Sequence, residues 1–239
     1  MVNAVYGFAN TLFRVVADHK PTHWAIAFDY PAPTFRHEEY AEYKAHRPAT
    51  PEELKGQIGR LHELADVLGM PAFEAKGYEA DDILGALSEQ ARAQSIEVAI
   101  LTGDRDLLQL VRPGVSVLLP GRTFSEARAY DEVAVQERFG VRPDQLATYK
   151  ALVGDASDNI PGVPGIGDKT AVKLVTQYGD IEDILSHAQE TPPKVRGALA
   201  SSHQQVEMSK RLATILLDAP VELALEDCVI GGYDPQRVQ

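Results

Sequence analysis

Short apolar runs alternate with helical patterns along the first 130 residues, and this alternation limits the fold more than any other feature of the sequence. The runs are HWAIAFD (23–29), IEVAILTGD (96–104) and VSVLLP (115–120). Such alternation is typical of buried parallel strands joined by helices, so the sequence predicts an α/β domain with a parallel sheet. Between the first two runs, Thr50 followed by Pro51 and Glu53 predicts a helix that opens with a capping box.

The pattern changes after residue 130. From 131 to 217 the apolar spacing is helical and indicates no strand, with an interruption at GDASDNIPGVPGIGDKT (154–170). Residues 218–239 carry scattered Pro and Gly, which is typical of an irregular tail. We therefore expect an α/β part at 1–130, a helical part at 131–217 and an irregular tail.

The net charge of −12 over 239 residues argues at first sight against a nucleic-acid partner. A protein that concentrates carboxylates to hold divalent cations also looks acidic without its metals, so the distribution of charge has to decide. No stretch resembles a membrane span or a secretion signal, and the single cysteine, Cys228, excludes an intramolecular disulfide and a cysteine-based zinc cluster. We expect a cytoplasmic protein without a membrane partner.

Carboxylates are concentrated at the ends of predicted elements. GYEADDILGAL (77–87) places three acids at a predicted helix start, where ordinary helix-start chemistry is an alternative explanation. Two apolar runs end in acid, and the carboxyl ends of parallel strands meet at the ligand-binding edge of such a sheet. GDASDN adds two acids three positions apart. The eight candidate metal ligands are Asp29, Glu79, Asp81, Asp82, Asp104, Asp106, Asp155 and Asp158.

Eight converging carboxylates would repel one another strongly unless cations neutralised them, and hard divalent cations prefer oxygen ligands. Magnesium fits so many acids if some of them act through water, since it keeps several waters of its own. Two such ions could clamp the attacking and leaving oxygens of a phosphodiester displacement. Without these acids the rest of the chain is only mildly acidic, so a local basic surface is easily accommodated.

The segment TFRHEEYAEYKAHRPAT (34–50) mixes both signs of charge, and a solvated loop or helix is one interpretation. At about 100° per residue on a helix, four residues share one narrow face, namely Arg36, Tyr40, Lys44 and Arg47. Glu38 and Glu42 fall opposite. A cationic stripe with a tyrosine suits a phosphate backbone and a base to stack on. Because the stripe follows Asp29 closely, its cations could reach the metal site and stabilise transition-state charge.

A glycine turn occurs in GVPGIGDKTAVKL (162–174), where Gly165 and Gly167 precede a helix that opens with Lys169 and Thr170. Glycines let backbone N–H groups approach a phosphate, and the helix N-terminus and the lysine add positive potential. A plain turn between two helices is the alternative. We expect these four residues to bind the DNA backbone without sequence preference.

Together these segments resemble the 5′ nuclease domain found at the N-terminus of bacterial DNA polymerase I, which is related to flap endonucleases. The matching segments are VYGF (5–8), AFDYPAPTFRHEEYAEYKAHR (27–47), GYEADDILG (77–85), ILTGDRDLLQL (100–110) and VRPDQLATYKALVGDASDNIPGVPGIGDKTA (141–171). The resemblance covers nearly the whole chain, and the motif set in this order is highly specific.

The resemblance implies a PIN-like, parallel-sheet nuclease core at 1–130 with a helical arch at 34–50, and a helical DNA-binding region at 131–217 with a helix-hairpin-helix at 154–178. It implies magnesium-dependent hydrolysis of DNA phosphodiesters near a 5′ end or flap, with two ions and with Mn²⁺ as an alternative. The eight acids fall on the family's metal-site acids.

For the basic residues, the resemblance implies that Lys44 and Arg47 are the catalytic cations of the arch through which the 5′ strand passes. Tyr40 matches the aromatic residue of the arch. The turn at 162–171 matches the hairpin that grips duplex DNA, commonly with a bound potassium ion. We expect a monomer, with a DNA polymerase domain in cis or in trans as a partner.

One departure concerns the start of the sequence. Family members begin with an apolar strand ending in Asp-Gly, whose Asp is a central metal ligand, whereas this sequence begins at VNAVYGF. We therefore expect the chain as given to bind DNA through 162–171 but to cleave slowly or not at all. Two alternatives stay open: a catalytically silent DNA-binding module, and a PIN-type ribonuclease, against which the long helix-hairpin-helix half argues.

Overall fold

Parallel strands form in the N-terminal half, as the apolar runs predict. The computed structural model describes residues 3–121 and 127–231. Its strands are β1 (Ile26–Ala27), β2 (Ala72–Phe73), β3 (Val98–Leu101), β4 (Val115–Pro120) and β5 (Ala127–Tyr130). β1 pairs with β2 in parallel, and β3 with β4 in parallel, while β5 runs antiparallel to β4. The predicted α/β class with a parallel sheet is confirmed.

The apolar runs do not indicate two of these strands. β2 is only two residues long, too short for a period to show, and β5 carries the exposed Arg128 between alanines. Both owe their strand conformation to the neighbours with which they pair. β1 is also shorter than the run that contains it.

In the described part of the N-terminal half, the α-helices are α1 (Asn3–His19), α2 (Phe35–Glu39), α3 (Glu52–Leu68) and α4 (Ala80–Ala93), and a 3₁₀ helix spans Asp106–Leu110. The predicted capping box at Thr50 is wrong, because α3 begins at Glu52 with Pro51 at the N-cap and has no side-chain cap. The two acids of its first turn interact with the helix dipole instead. Among the described residues, no helix is both long and apolar enough to cross a bilayer.

Helix α4 positions the candidate site. It packs against both β1 and β3, so its N-terminus lies near the ends of two strands from different sheets. Ile83 and Ala86 are completely buried on its inner face. Gly85 allows the close approach of the chain at 215–217, because a Cβ at this position would lie 2.4 Å from the carbonyl oxygen of Leu216.

The second half is helical, as predicted, and residues 131–217, all of them described, contain no strand. Its helices are α5 (Glu132–Phe139), α6 (Leu146–Val153), α7 (Asp168–Tyr178), α8 (Ile181–Ser186), α9 (Pro193–Ser201) and α10 (His203–Ala213). The predicted tail contains a short 3₁₀ helix at Leu225–Cys228, and residues 232–239 lie outside the described part.

One hydrophobic core spans both halves. It contains Ile100 of β3 and Val117 of β4 together with Leu152 of α6, Val175 of α7 and Ile184 of α8. The last four of these side chains are completely or almost completely buried, and each buried aliphatic side chain contributes roughly 1.5–3 kcal/mol. The shared core holds the loop between α6 and α7 against the ends of the strands.

Candidate active site

Two acids lie at the junction between the first strand and α4. Asp29 follows β1, and one of its carboxylate oxygens accepts a hydrogen bond from the backbone N–H of Ala80 at 2.8 Å. Asp29 therefore binds one of the free N–H groups of the first turn of α4, which favours negative charge. Glu79 immediately precedes this helix, and Asp81 lies in its first turn.

Glu79 forms an ion-paired group with Asp158, which comes from the loop between α6 and α7. Lys44 Nζ lies 2.8 and 2.9 Å from the two oxygens of Glu79 and 3.7 Å from Asp158. Arg47 pairs with Asp158, and the Tyr43 hydroxyl lies 3.2 Å from both carboxylates. Three cationic or donor groups from one segment thus hold together two acids that are distant in sequence.

Asp106 and Asp155 form a second ion-paired group around Lys150 of α6. Lys150 Nζ contacts Asp106 and lies 2.6 Å from Asp155. Burial opposes ionisation of Asp155, but Lys150 and Ser157 outweigh it and lower its pKa to about 2. Burial likewise opposes the charge on Lys150, yet Asp106 and Asp155 raise its pKa above the usual value. Lys150 and Asp155 are therefore charged near neutral pH.

Lys150 is a site residue that the sequence analysis did not identify. A lysine inside the apolar helix LATYKALV is ordinarily assigned to the solvent-exposed face. The available signal was its position on the helix directly before the acidic GDASDN segment.

Asp81 and Asp104 form no ion pair with any described residue. Asp104 accepts a hydrogen bond from the backbone N–H of Asp106 at 2.9 Å, so it lies in the turn that follows β3. Burial, and then the negative charges of Asp104 and Glu79, raise the pKa of Asp81 to about 7. Burial is the largest cause of this shift, and the neighbouring carboxylates Asp104 and Glu79 add to it, so a cation near Asp81 would relieve their charge.

The eight predicted ligands do not form one cluster. Among residues 3–121 and 127–231, no three acidic, histidine or cysteine side chains lie close enough together to hold an ion. Lys44, Arg47 and Lys150 pair with several of the carboxylates instead. The donors nevertheless fit a hard divalent cation chemically, since all of them are carboxylate oxygens. The carboxylates near Asp81 also favour a bound cation.

Asp82 does not fit its predicted role as a metal ligand. Its side chain is fully buried, and both of its oxygens accept hydrogen bonds from the Arg36 guanidinium, at 2.8 and 2.7 Å. It also accepts hydrogen bonds from the backbone N–H groups of Glu79 and Leu216. With these four bonds Asp82 orients the start of α4 instead of facing a ligand.

The predicted cationic stripe is wrong in its geometry. Helix α2 ends at Glu39, Tyr40 is extended, and residues 41–47 form turns, so no single helix face carries the four residues. Arg36 is only 2% exposed, and besides Asp82 it donates to the carbonyls of Leu212 and Thr214, which excludes it as a DNA contact in this conformation. Tyr40 packs partly buried in a cluster with Tyr43.

The glycine turn lies between α6 and α7. Gly165 has a φ of +85°, which a residue with a Cβ rarely adopts, and Gly167 is the N-cap of α7. Ile166 is buried between these two exposed glycines and anchors the turn in the core. Lys169 is exposed and Thr170 partly exposed in the first turn of α7. This arrangement presents backbone N–H groups and a lysine on one surface.

Comparison with known proteins agrees with the architecture. The family model described as 5′-3′ exonuclease, N-terminal resolvase-like domain, matches residues 1–140, and the model described as 5′-3′ exonuclease, C-terminal SAM fold, matches residues 141–236. The chain belongs to the 5′-3′ exonuclease family.

Among individual relatives, DNA polymerase I of Bacillus caldotenax is 45% identical over 237 residues, and that of Bacillus subtilis is 40% identical over 237 residues. Each alignment covers 99% of this chain but 27% of the relative, so the chain spans about a quarter of their length.

Solved structures share the fold. The T5 5′-exonuclease with bound zinc has a TM-score of 0.72 at 24% identity, covering 89% of this chain and 81% of that one. The catalytic core of Rad2 has a TM-score of 0.58 at 15% identity, covering 98% and 78%.

Proposed function

We propose that this chain is a structure-selective 5′ nuclease that hydrolyses DNA phosphodiester bonds at 5′ ends or flaps with two divalent ions, Mg²⁺ or alternatively Mn²⁺. The observation that carries the proposal is the excess of carboxylates around Asp81, contributed by separate segments of the chain and centred on the start of α4. Membership of the 5′-3′ exonuclease family supports the same reaction class.

The ions would be held by acids that face the site, and Asp82 is not among them. These residues are Asp29, Glu79, Asp81, Asp104, Asp106, Asp155 and Asp158. When bound, such ions activate a water molecule and stabilise charge on the phosphate oxygens. Three of these acids form no ion pair with any described residue, Asp29, Asp81 and Asp104, and they would be the first to bind a cation.

Lys44 and Arg47 would act on the phosphate. Both lie beside the acids that would hold metal, and both are cations on an exposed segment, with Arg47 half exposed. In this conformation they neutralise Glu79 and Asp158. With these acids bound to a metal ion, the Lys44 and Arg47 side chains would be available to stabilise negative charge that develops on the phosphate.

The surface formed by Gly165, Gly167, Lys169 and Thr170 would grip the DNA backbone, with a K⁺ ion at the turn as a further component. Backbone N–H groups and a lysine contact phosphates irrespective of base sequence, which suits an enzyme that recognises a structure. Because the relatives are DNA polymerase I proteins of which this chain matches 27%, we propose a polymerase domain, in cis or in trans, as the partner.

The test is hydrolysis of a labelled 5′-flap DNA by the purified protein with Mg²⁺, with Mn²⁺ and with chelator alone. A closed circular duplex and an RNA of the same sequence serve as controls. We expect any cleavage of the flap to be slow and to require a divalent ion, and we expect no cleavage of the circle. Tight binding without cleavage under every condition would identify a DNA-binding module instead. Preferential cleavage of the RNA would identify a PIN-type ribonuclease.

A further inference from the structure

Lys150 is a largely buried cation of the candidate site. Its side chain is 18% exposed and lies between Asp106, at 21%, and Asp155, at 12%. Both acids are among the predicted metal ligands. Asp106 precedes α6 in the sequence, and Asp155 follows it. One ammonium group therefore links them as a bridging cation would.

The position of Lys150 differs from that of Lys44 in one respect that matters. Lys44 lies outside any helix, on the turns at 41–47. Lys150 lies on α6, where the following residues Ala151 and Leu152 are completely buried in the shared core. Its backbone is thus fixed, and its ammonium can leave the two acids only by a change of side-chain rotamer.

A divalent cation bound to Asp106 and Asp155 cannot share the space between them with an ammonium group, because both cations would need the same oxygens at close range. We propose that Lys150 is a built-in competitor for this part of the metal site, a counter-ion that a divalent cation must displace in order to bind Asp106 and Asp155. This inference rests on the proposed function, since it takes those acids to be metal ligands.

Two effects follow from this arrangement. Lys150 keeps the two acids neutralised and close together before a metal arrives, and it lowers the affinity for that metal. Replacing Lys150 by methionine keeps the length and the apolar stem of the side chain but removes its charge. The variant should then bind the ion more tightly, on the order of tenfold, because no ammonium has to be displaced.

The experiment is a titration of the purified protein with Mn²⁺ alone, in which free Mn²⁺ is followed by its electron paramagnetic resonance signal. Lys150→Met is compared with the unchanged protein and with Lys210→Met. Lys210 is a matched control, because it also links two groups, Thr148 of α6 at 2.7 Å and Asp180 at the N-cap of α8 at 2.9 Å, and neither of them is a candidate ligand. We expect tighter binding only in Lys150→Met.

The outcomes separate this inference from the proposed function. If Lys150→Met and the unchanged protein bind Mn²⁺ equally well, or the variant binds it more weakly, the metal site stands and the displacement of Lys150 is wrong. If none of the proteins binds Mn²⁺, the metal site itself fails, and this inference fails with it. Equal tightening in Lys210→Met would show a general charge effect and would also contradict the role of Lys150.

A second measurement covers the case in which Lys150→Met does not fold. The unchanged protein, labelled with ¹³C at the lysine Cε positions, is titrated with Mg²⁺ and followed by nuclear magnetic resonance. The Lys150 resonance, assigned with Lys150→Arg, should move to the position of a solvent-exposed lysine at saturation, while that of Lys210 should stay in place. A Lys150 resonance that does not move at saturating Mg²⁺ would overturn the proposal.

Discussion

The acidic site and the glycine turn are assembled in different ways. The acidic site draws its carboxylates from positions between Asp29 and Asp158, and it depends on ion pairs between segments that are far apart in sequence. The turn is built from a few consecutive residues, and local backbone hydrogen bonds define it, for example from Ile166 N–H to the Val163 carbonyl at 3.0 Å. The site is long-range and electrostatic, and the turn is local and depends on backbone conformation.

This difference separates the two tasks of the proposed nuclease. A change of charge at the acidic site should alter the chemistry and the stability of the fold, because the carboxylates there are incompletely neutralised. A change at the turn should alter only the grip on DNA, because its backbone is held by neighbouring residues. Variants at the two places should therefore have effects of different kinds.

The largest expected effect is on cleavage. Asp104→Ala and Asp81→Ala should each abolish magnesium-dependent hydrolysis of a 5′-flap while leaving DNA affinity within a few fold, because these acids would hold metal and the grip lies elsewhere. Single-turnover cleavage and fluorescence anisotropy measure the two properties. Asp144→Ala, at an exposed ion pair with Arg142, is the control and should retain activity. Full activity of both site variants would remove the metal-site proposal.

Lys44→Ala tests whether a cation of the acidic site acts on the chemical step or on DNA binding. We expect turnover to fall more than affinity, by roughly 2–4 kcal/mol of transition-state stabilisation, because a cation beside the reacting phosphate acts chiefly on developing charge. Glu42→Ala is the matched control, since Glu42 lies exposed on the same segment. The rate of flap cleavage at saturating DNA decides between them. Equal losses in the two variants would contradict a specific role for Lys44.

The pH dependence of the folding stability of Asp81→Asn tests whether the negative charge on Asp81 destabilises the fold. Folding raises the pKa of Asp81 from 3.8 to about 7, so the folded state binds this proton more tightly and stability falls as the pH rises between these values. At pH 8 with chelator, Asp81→Asn should be more stable than the unchanged protein by roughly 2–4 kcal/mol at most. At pH 5, which lies between the two pKa values, the difference should be less than half as large. Thermal unfolding at both pH values measures it.

Other acids of the site do not reverse the sign of this effect. Burial, and then the charges of Asp104 and Asp155, raise the pKa of Asp106, although Lys150 opposes them. Asp106 therefore also makes stability fall as the pH rises. The lowered pKa of Asp155, about 2, affects stability only below 3.8. An equal gain in stability from Asp81→Asn at pH 5 and pH 8 would show that the charge on Asp81 is not the cause.

The smallest expected effect is at the turn. Lys169→Ala should weaken DNA binding about equally for different sequences. The slope of log affinity against log salt concentration should become shallower by roughly 0.9, which corresponds to the loss of one phosphate contact. Binding of three unrelated duplexes over a range of salt concentrations measures both quantities. A change in sequence preference would show that Lys169 contacts bases.

The sequence predicts the local features of this protein well. The apolar runs at β3 and β4 and the turn around Gly165 depend on residues close to one another in the chain, so their patterns are readable without the fold. The acids at the strand ends are likewise found from their neighbours. Family resemblance then supplies the expectation that these separate acids belong to one site.

The partners of the charged groups could not be predicted in the same way. Arg36 was assigned to a surface stripe because the 100° rule assumes an uninterrupted helix, but α2 ends at Glu39 and the guanidinium is buried against Asp82. Lys150 was missed because only the packing of α6 shows that its ammonium lies between two acids. Ion pairs across long sequence separations follow from tertiary packing, which no local pattern encodes.

The central claim is that separate residues carry out DNA cleavage and DNA binding. It is tested most directly by a double-mutant cycle on one 5′-flap substrate, with Asp104→Ala, Lys169→Ala and the double variant. DNA affinity and single-turnover cleavage are measured for each in the same buffer. We expect the double variant to bind as weakly as Lys169→Ala alone and to cleave as little as Asp104→Ala alone. A loss of affinity in Asp104→Ala as large as that in Lys169→Ala would contradict this account.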